Sequence, residues 1–507
     1  MKIFFIYPNA GSQVGFNYGV SHIAAVLAKA GHQVTFWQLC EDLAPLPSQD
    51  EFIARIKQET PDLLAFSVVT NQWNYTRQLA AWARQSLSIP IVCGGVHGLV
   101  GGREILETGL FDYIFRGECE EAFPDFIERL SSGQSIREVP NLGFIDNGTI
   151  KINPVGPLPD LQQLPFKDYT IMDFQKLIDV KKGWVGLMAS RGCPFSCTYC
   201  FNHKMVAAYR HDLKCSFKEL GYIRQFRVDQ IINEIKFLLK NYHHIKTFIF
   251  DDDLFTFDKA YIKEFCREYK KTCNLPFVVN AHVKFFDDEV AAHLKSANCT
   301  VVKFGVESGS EKIRKSVLNR HMTNDDIIQA IRMVNDAGMH SSVFIIIGFP
   351  HETRQDVFDT LRLLGQARPG RFRWTFFFPY PGTKAHQISL DGGFIDIQKM
   401  DSLQNFTDES CLEFGAEHNL LLKKIGRIMP WFVNAYSGLP VADFYCQKVD
   451  NLLNMDETDW NRIAPTLAQE DKTLSQHFAQ EGLSHYAIKY NPFMGVISDY
   501  FLNEKSK

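Results

Sequence analysis

The sequence lacks a dominant charge, a long apolar run and any internal repeat. Its 507 residues include 54 Lys and Arg against 58 Asp and Glu, so the net charge is −4, and no block of like charge stands out. This balance gives neither nucleic acid nor an anionic membrane an electrostatic reason to bind. Nowhere do about 18 apolar residues run unbroken, the length that a membrane-spanning helix needs. We therefore expect no nucleic-acid partner and no integral membrane segment.

We also expect no secretory signal peptide, because the apolar opening from Met1 to Tyr7 is only as long as a strand. The 12 cysteines are scattered through the chain and do not form a compact disulfide framework. Such usage is typical of reduced thiols and predicts a cytoplasmic protein. A chain of this length has room for about three domains.

Residues 1–138 alternate short β-type runs with helical patterns. The five runs are Ile3 to Tyr7, Gln33 to Leu39, Leu63 to Val68, Ile91 to Cys93 and Tyr113 to Phe115. This alternation predicts an α/β domain with an open, parallel, doubly wound, Rossmann-like sheet, whose ligand site lies at the carboxyl ends of the strands. Gly94 and Gly95 follow the fourth strand and Gly117 follows the fifth, where glycine lets the backbone approach a bulky ligand closely.

The rest of the chain divides into three further segments. Residues 139–182 contain five prolines and predict a linker with a small hairpin around Asn147 and Gly148. Residues 183–395 carry six strand-like runs separated by helical patterns, which predict a partial (β/α)6 barrel of TIM type with its site at the carboxyl ends of the strands. Residues 396–507 predict a mainly helical region.

Two helices are predicted in this last region, from Asn419 to Ser437 and from Ser475 to Tyr490. The stretch 420–429 is basic and amphipathic. That pattern suits a helix at a membrane surface, and it also suits the commoner arrangement of a helix packed over the barrel.

Three cysteines, Cys193, Cys197 and Cys200, follow the first strand of the second series with the spacing C-x3-C-x-aromatic-C. Thiolates are soft ligands that suit iron–sulfur clusters or zinc, and both metals prefer four tetrahedral ligands. Three close cysteines therefore leave one coordination position open for a further ligand. A structural zinc site would need a fourth protein ligand, for which His203 is available.

The cysteine spacing resembles the motif of the radical S-adenosylmethionine (SAM) superfamily. The resemblance implies that Cys193, Cys197 and Cys200 hold a [4Fe–4S] cluster whose fourth iron is chelated by SAM, with Tyr199 at the cofactor. Further segments at the ends of successive predicted strands match the same family. By this resemblance the SAM-contacting positions are Asp251, Asp252, Asn280, His282, Lys284, Glu307, Ser308 and Gly348.

These matches differ in strength. The segment from Gly305 to Ser310 closely matches the family's G-[IVL]-E-S-G-S, whereas Lys284 stands where the family often has Arg and lacks its bidentate fork. The acidic residues at 251–253 also suit a solvated turn or a helix N-cap. Glu352, in a turn that resembles the family's G-[FL]-P-G-E-T, also suits a helix cap.

The first domain resembles the cobalamin-binding domain that precedes the barrel in a large subgroup of these enzymes. The resemblance lies in a G-G-x-H segment and in a D-Y-x-x-x-G-E-x-E segment, and it implies cobalamin contacts at Gly94, Gly95, His97, Gly117 and Glu118. The D-x-H-x-x-G loop, whose His ligates cobalt in other cobalamin proteins, is missing. Asn71, Gln72 and Trp73, in the loop after the third strand, are therefore candidates to cover the cobalt. We expect His97 to be a hydrogen-bonding loop residue rather than a cobalt ligand. A domain that has lost its cofactor is the alternative.

The resemblance implies a cobalamin-dependent enzyme like the class B radical SAM methyltransferases. An electron from the cluster would cleave SAM to methionine and a 5'-deoxyadenosyl radical, and methylcobalamin would methylate an unactivated carbon of a small-molecule substrate. Flavodoxin or ferredoxin would supply the electron. Radical cyclisation, oxygen insertion or rearrangement, as in the anaerobic Mg-protoporphyrin cyclase relatives, is the enzymatic alternative. A zinc- or cobalamin-binding regulator without turnover is the alternative from another class.

Overall fold

The computed structural model describes residues 1–402, 409–490 and 497–501. The chain forms two compact units. Unit 1 comprises Met1–Pro194 and Phe201–Phe248, and unit 2 comprises Phe195–Cys200 and Ile249–Lys507. The predicted domain limits at 138, 182 and 395 stay predictions. No helix in the described part of the chain is long and apolar enough to cross a membrane.

Unit 1 begins with the predicted doubly wound sheet. Its parallel strands are β1 (Lys2–Pro8), β2 (Gln33–Leu39), β3 (Leu63–Ser67), β4 (Ile91–Gly94) and β5 (Tyr113–Phe115). The spatial order is β2-β1-β3-β4-β5. The chain reverses its direction of winding between β1 and β3, which in such sheets is the switch point where ligands bind.

Helices cover both faces of this sheet. They are α1 (Tyr18–Lys29), α2 (Gln49–Glu59), α3 (Trp73–Ser86), α4 (Val96–Glu107) and α5 (Ala122–Ser132). Because successive strand residues point to opposite faces, Phe4 and Ile6 pack in one apolar core with α2 and α3. Ile3 and Phe5 pack in a second core with α1 and α5. The prediction of a Rossmann-like sheet is confirmed.

The predicted hairpin is confirmed and extends the same sheet. Strands β6 (Leu142–Asp146) and β7 (Thr149–Ile152) are antiparallel, and β6 pairs antiparallel with β5. The two-residue turn has Asn147 at φ 50° and Gly148 at φ 79°. Asn and Gly are the residues that tolerate this left-handed conformation best, so the local sequence accounts for the turn.

The rest of unit 1 comes before and after the cysteine segment in the chain. Its elements are α6 (Phe174–Val180), β8 (Trp184–Leu187), β9 (Ser190–Arg191), α7 (Phe201–Leu213), α8 (Phe217–Leu220), β10 (Arg224–Gln225) and α9 (Val228–Asn241). Strands β9 and β10 form an antiparallel pair. The boundary between the units falls within the next strand, β11 (Thr247–Phe250).

The second sheet has the strand order expected of a partial barrel. After β8 and β11 its strands are β12 (Phe277–Ala281), β13 (Cys299–Glu307), β14 (His340–Ile347) and β15 (Arg371–Phe376), in the order of the chain. The last four pair in parallel. The intervening helices are α10 (Lys259–Thr272), α11 (Asp288–Ser296), α12 (Glu311–Ser316), α13 (Asn324–Asp336) and α14 (Arg354–Ala367). The predicted (β/α)6 barrel is confirmed.

The chain after β15 is largely helical, as predicted. Its helices are α15 (Lys384–Asp391), α16 (Ile397–Ser402), α17 (Ala416–Tyr436), α18 (Ala442–Asn454), α19 (Glu457–Ile463) and α20 (Leu467–Gln480). Helix α17 packs on α14 and β15, with Leu422 and Ile425 buried and the Trp374 indole donating to the Gly426 carbonyl at 2.8 Å. Since its apolar side is covered by protein, the packed arrangement of 420–429 is confirmed.

The predicted helix from Ser475 to Tyr490 is wrong in its second half. Helix α20 ends at Gln480, and β16 (Tyr486–Tyr490) pairs antiparallel with β17 (Ile497–Phe501), which pairs with β15. The Asn434 side chain donates to the Tyr486 carbonyl and accepts its N–H, both at 2.8 Å. A carboxylate oxygen of Asp471 accepts the N–H of Ile488 at 2.7 Å. These distant side chains hold the segment as a strand, so local helical propensity does not decide its structure.

Candidate functional site

The part of the cysteine segment in unit 2, residues 195–200, is held by the turn that follows α12. The Thr198 hydroxyl donates to the Val317 carbonyl at 2.6 Å. Arg320 Nη1 donates to Cys197 Sγ at 3.4 Å and to the Tyr199 hydroxyl at 3.2 Å, and Nη2 donates to the Gly305 carbonyl. Arg320 is 8% exposed. It joins Cys197 and Tyr199 to the end of β13.

Glu307 lies at the end of β13 in a strained backbone conformation, with φ 68°. A side chain other than glycine adopts this left-handed region at a cost of roughly 1–2 kcal/mol, and such strain is common at functional sites. Burial raises the pKa of Glu307, against the opposing effects of the Arg320 guanidinium and the Tyr199 hydroxyl. Glu307 is thus a buried acid beside Tyr199, and its SAM role stays a prediction.

The ends of β11 and β12 meet in unit 2. Asn280 Nδ2 donates to the Asp252 carbonyl at 2.9 Å, and Asp252 is only 1% exposed. The His282 ring stacks on Phe195 of the cysteine segment, with ring centroids 4.0 Å apart. Burial, reinforced by Arg320 and Lys284, lowers the pKa of His282 to about 3. His282 is therefore a neutral, stacked group near residues 195–200.

Other predicted SAM positions have different surroundings. Lys284 forms an ion pair of 2.6 Å with Asp326, and Ser308 is fully buried with its hydroxyl 3.4 Å from that of Thr360. These contacts are sufficient to explain both residues without a cofactor. Asp251 is exposed at the end of β11. The SAM roles predicted for these three residues stay predictions.

Gly348 ends β14 with φ 79°, and its N–H donates to Glu352 Oε2 at 2.6 Å. The same carboxylate oxygen accepts the Phe349 N–H at 3.3 Å, and the Phe349 ring lies 6.4 Å from that of Tyr199. Among the described residues Glu352 Oε1 has no hydrogen-bond partner. Glu352 therefore shapes the turn of 348–349 and does not cap the next helix, whose N-cap is Thr353.

In unit 1 the glycines after β4 have a structural explanation. Gly95 has φ 81°, and a Cβ there would lie 2.6 Å from the Val68 carbonyl oxygen. A Cβ on Gly94 would meet only ordinary contacts, of 3.8 Å or more. His97 is buried, with its ring centroid 4.4 Å from that of Trp73 and the two rings tilted by 38°, and burial lowers its pKa to about 4. The expectation that His97 forms loop hydrogen bonds is not met, because its ring nitrogens have no partner among the described residues.

Gln72 and Asn71 follow β3 but differ in their contacts. The Gln72 side chain accepts the Ala10 N–H at 3.0 Å and donates to the Ala10 carbonyl at 2.8 Å and the Ser12 hydroxyl at 3.2 Å. It thereby ties the loop after β3 to the loop after β1, across the switch point. Asn71 is exposed. Asn71 is consequently the better placed of the two to meet a ligand.

The turn after β5 is filled by protein. Gly117 has φ 75°, and a Cβ there would overlap the Tyr209 hydroxyl of α7. The Glu118 carboxylate pairs with Arg191 at 2.6 Å and with Arg224. These contacts explain the G-E pair without a cofactor, and its cobalamin role stays a prediction.

The chemical types of the residues present suit two of the implied cofactors, the iron–sulfur cluster and cobalamin. Three thiols within eight residues are the donor set of an iron–sulfur cluster, and Cys197 Sγ already accepts a charged N–H. At the carboxyl edge of the first sheet, buried polar atoms of Gln38, Thr70, Tyr75 and His97 have no partner among the described residues. Buried polar groups are normally hydrogen-bonded, so this edge suits an amide-rich ligand such as cobalamin.

No three His, Cys, Asp or Glu side chains of the described residues lie close enough together to hold a metal ion. Cys193 belongs to unit 1, whereas Cys197 and Cys200 belong to unit 2. The assignment of the three cysteines as cluster ligands rests on their spacing and on the chemistry of thiolates, and it stays a prediction.

Arg320 is the functional candidate that sequence reasoning missed. It stands in an Asn-Arg-His run beyond α12, 13 positions after Glu307, and no local pattern marks it. A lone arginine after a short helix usually faces solvent. Its burial beside Cys197 depends on contacts between segments more than 100 residues apart in the chain.

Comparison with known protein families identifies two segments. Residues 187–364 match the radical SAM superfamily, and residues 11–127 match the B12 binding domain. The first match spans the cysteine segment and the barrel from β8 through most of α14. The second spans the doubly wound sheet from the loop after β1 into α5. These matches imply SAM, a [4Fe–4S] cluster and cobalamin as cofactors.

Two curated relatives and one solved structure are similar to this chain over about four fifths of its length. An uncharacterised methyltransferase of Pyrococcus horikoshii is 26% identical, over 81% of this chain and 89% of its own length. Anaerobic magnesium-protoporphyrin IX monomethyl ester cyclase of Cereibacter sphaeroides is 24% identical, over 77% of this chain and 64% of its own length. The fold is similar to that of the radical SAM methyltransferase TsrM of Kitasatospora setae, with TM-score 0.63 and 16% identity, over 77% of this chain and 76% of that chain. The chain is therefore an enzyme of the radical SAM superfamily, in the group whose barrel is preceded by a B12-binding domain.

Proposed function

We propose that the enzyme is a cobalamin-dependent radical SAM methylase that transfers a methyl group to an unactivated carbon of a small-molecule substrate. The observation that carries the proposal is the succession, in one chain, of a B12-binding match at 11–127 and a radical SAM match at 187–364. A methyl carrier and a SAM-cleaving centre are the two parts that such a reaction needs. The methyltransferase relative supports this proposal, since it covers most of both chains.

When bound, the cluster supplies the electron that cleaves SAM, and cobalamin supplies the methyl group. The protein's part is to hold these groups, exclude water and aim the reaction. Cys193, Cys197 and Cys200 would ligate three irons, and Arg320 would hold the Cys197 sulfur and the Tyr199 ring in place. Glu307, a buried acid beside Tyr199, would accept hydrogen bonds from SAM.

Within the B12-binding domain we propose that Asn71 lies nearest the cobalt, because it is exposed while Gln72 is committed to the loop after β1. Asn71→Ala is expected to change the absorption and electron paramagnetic resonance (EPR) spectra of bound corrinoid at unchanged melting temperature. Gln72→Ala is expected to lower the melting temperature. Identical corrinoid spectra in wild type and Asn71→Ala would contradict the placement of Asn71.

The first experiment is anaerobic reconstitution with iron, sulfide and hydroxocobalamin, followed by visible spectroscopy and assays of bound iron and corrinoid. We expect one cluster and one corrinoid per chain, and loss of the cluster in Cys193→Ala. A cluster without corrinoid would indicate a first domain that has lost its cofactor. Zinc in place of iron would refute the function and favour the non-catalytic regulator.

A radical cyclase or rearrangement enzyme is the second candidate, because the Mg-protoporphyrin cyclase relative is nearly as similar as the methyltransferase. Reaction with SAM bearing a deuterated methyl group separates the two. Both enzymes would release 5'-deoxyadenosine, but a methylase transfers the label to its product, whereas a cyclase leaves its product unlabelled. Flavodoxin or ferredoxin is the proposed electron donor in either case, in the reducing cytoplasm.

A further inference from the structure

Four charged side chains form a buried ion-pair cluster inside unit 1. Arg191 Nη1 lies 2.6 Å from Glu118 Oε2 and 2.7 Å from Glu120 Oε1, and Arg224 forms a two-pronged pair with Glu118. The side chains are only 3–14% exposed. Burial raises the pKa of Glu118, but Arg191 and Arg224 outweigh it and the net pKa is lowered. Two cations and two anions therefore compensate each other away from water.

This cluster joins the B12-binding domain to the start of the cysteine segment. Glu118 and Glu120 follow β5, whereas Arg191 ends β9, two residues before Cys193. Strand β9 is in turn held by β10, in which Arg224 lies directly opposite Arg191. Between Arg191 and Cys193 stands Gly192, at φ 95°, packed so closely on the Tyr222 backbone that a Cβ would not fit. The path from the carboxylates to Cys193 is thus short and rigid.

The same turn also holds the helix that follows the cysteine segment. Helix α7 starts at Phe201, immediately after Cys200. Its Tyr209 is fully buried, accepts the Glu118 N–H at 2.8 Å and fills the space beside Gly117. Consecutive residues of one turn therefore contact both flanks of residues 192–200.

Buried ion pairs are poor stabilisers, because the desolvation of the charges offsets their attraction. Their best-attested use is to specify one arrangement of the chain. We propose that Glu118 and Glu120 are positioning residues that hold Arg191 and, through it, fix the position of Cys193, one of the predicted cluster ligands. This role rests on the proposed function and extends it, because it makes the turn of residues 117–120 a structural support for the iron–sulfur site.

The test compares isosteric variants of two buried pairs in unit 1. Glu118→Gln removes one charge of the cluster. Its matched control, Glu234→Gln, weakens the ion pair between Lys167 and Glu234. Both oxygens of Glu234 lie 2.7 Å from the Lys167 ammonium, and the two side chains are 3–5% exposed. This pair does not contact the cysteine segment. Each full-length protein is reconstituted with iron and sulfide. Melting temperature, iron transfer to a chelator and the EPR spectrum of the reduced cluster are then measured.

We expect Glu118→Gln to lose iron about 10-fold faster than wild type or more, in line with the 10–100-fold effect of groups that support metal ligands, and to show an altered EPR spectrum. Glu234→Gln should lower the melting temperature while its iron transfer and EPR spectrum remain those of wild type. Equal effects of both variants on iron transfer, or wild-type behaviour of Glu118→Gln, would overturn the proposal.

Two further outcomes are distinguishable. If Glu118→Gln does not fold, Arg224→Lys replaces it, because the ammonium keeps the charge but loses the two-pronged pair; iron retention like that of wild type would then overturn the proposal. A wild-type protein that binds no iron would overturn the proposed function itself, and the positioning role with it.

Discussion

Glu352 offers a test of the structure through the pH dependence of stability. Its carboxyl group is buried, and burial, against the opposing N–H donors of Gly348 and Phe349, raises its pKa to about 8 from an ordinary value of 4.5. The folded protein thus keeps the proton to about pH 8, whereas the unfolded chain loses it near 4.5. Stability from this group is fully present below the lower value and is lost as the pH rises through the higher one.

The size of the effect follows from the two values. Each tenfold difference in proton affinity corresponds to about 1.4 kcal/mol. The difference between the folded and unfolded pKa values therefore changes the free energy of unfolding by at most about 5 kcal/mol. Glu352→Gln is neutral at every pH and still offers a carbonyl oxygen to the two N–H groups. Relative to wild type, its free energy of unfolding should rise by about 1 kcal/mol per pH unit between about pH 5 and about pH 8.

The assay is the melting temperature of apo wild type, Glu352→Gln and the exposed control Glu264→Gln at about pH 5.5 and about pH 7.5. A change of about 1 kcal/mol shifts the melting temperature of a large domain by roughly 2–4 °C. The melting temperature of Glu352→Gln minus that of wild type should therefore be about 4–8 °C larger at the higher pH than at the lower one, whereas the same difference for Glu264→Gln should not change. A constant difference between Glu352→Gln and wild type would refute the buried, protonated carboxyl.

Three further predictions concern packing. Gly117→Ala and Gly133→Ala both place a side chain at positive φ, which costs about 1–2 kcal/mol of stability, but only at Gly117 would the new Cβ meet another group, the Tyr209 side chain. Gly117→Ala should therefore lower the melting temperature more than Gly133→Ala. Equal losses would show that the Tyr209 side chain moves away without cost. Asn434→Ala leaves two buried backbone groups of Tyr486 without partners, at about 1–3 kcal/mol each, and should speed proteolysis after residue 480; unchanged cleavage would contradict the docking of β16. Arg320→Met removes the donors to Cys197, Tyr199 and Gly305 and should cost about 2–3 kcal/mol or more, with partial recovery in Arg320→Lys; an unchanged melting temperature in Arg320→Met would contradict these contacts.

Local patterns were sufficient where the structure depends on neighbouring residues. Alternating strands and helices predicted both sheets, and the Asn147-Gly148 pair predicted its hairpin. The spacing of three cysteines predicted the radical SAM family. The same reasoning wrongly predicted a helix over the whole of Ser475 to Tyr490. The side chains that hold β16 as a strand, Asn434 and Asp471, are distant in sequence, so no local pattern shows them.

Site residues show the same division. Sequence comparison selected Gly117 and Glu118 as cofactor contacts, since a motif records which residue is needed but not what it touches. The structure surrounds them with Tyr209, Arg191 and Arg224. A buried carboxylate requires compensating charge, and the partners of Glu118, Arg191 and Arg224, lie 73 and 106 positions away in the chain, where no periodicity predicts their placement.

The sequence by itself determined the fold class, the order of the two family segments and the cysteine spacing, because these depend on composition and on residues close together in the chain. Tertiary structure decided which polar groups are compensated and which are left for a ligand. In the folded chain the Gln72 side chain joins the loops after β1 and β3, Asn71 remains exposed, and Arg320 contacts Cys197. The physical reason is that burial and charge compensation are properties of a residue's neighbours in space, which only the folded chain brings together.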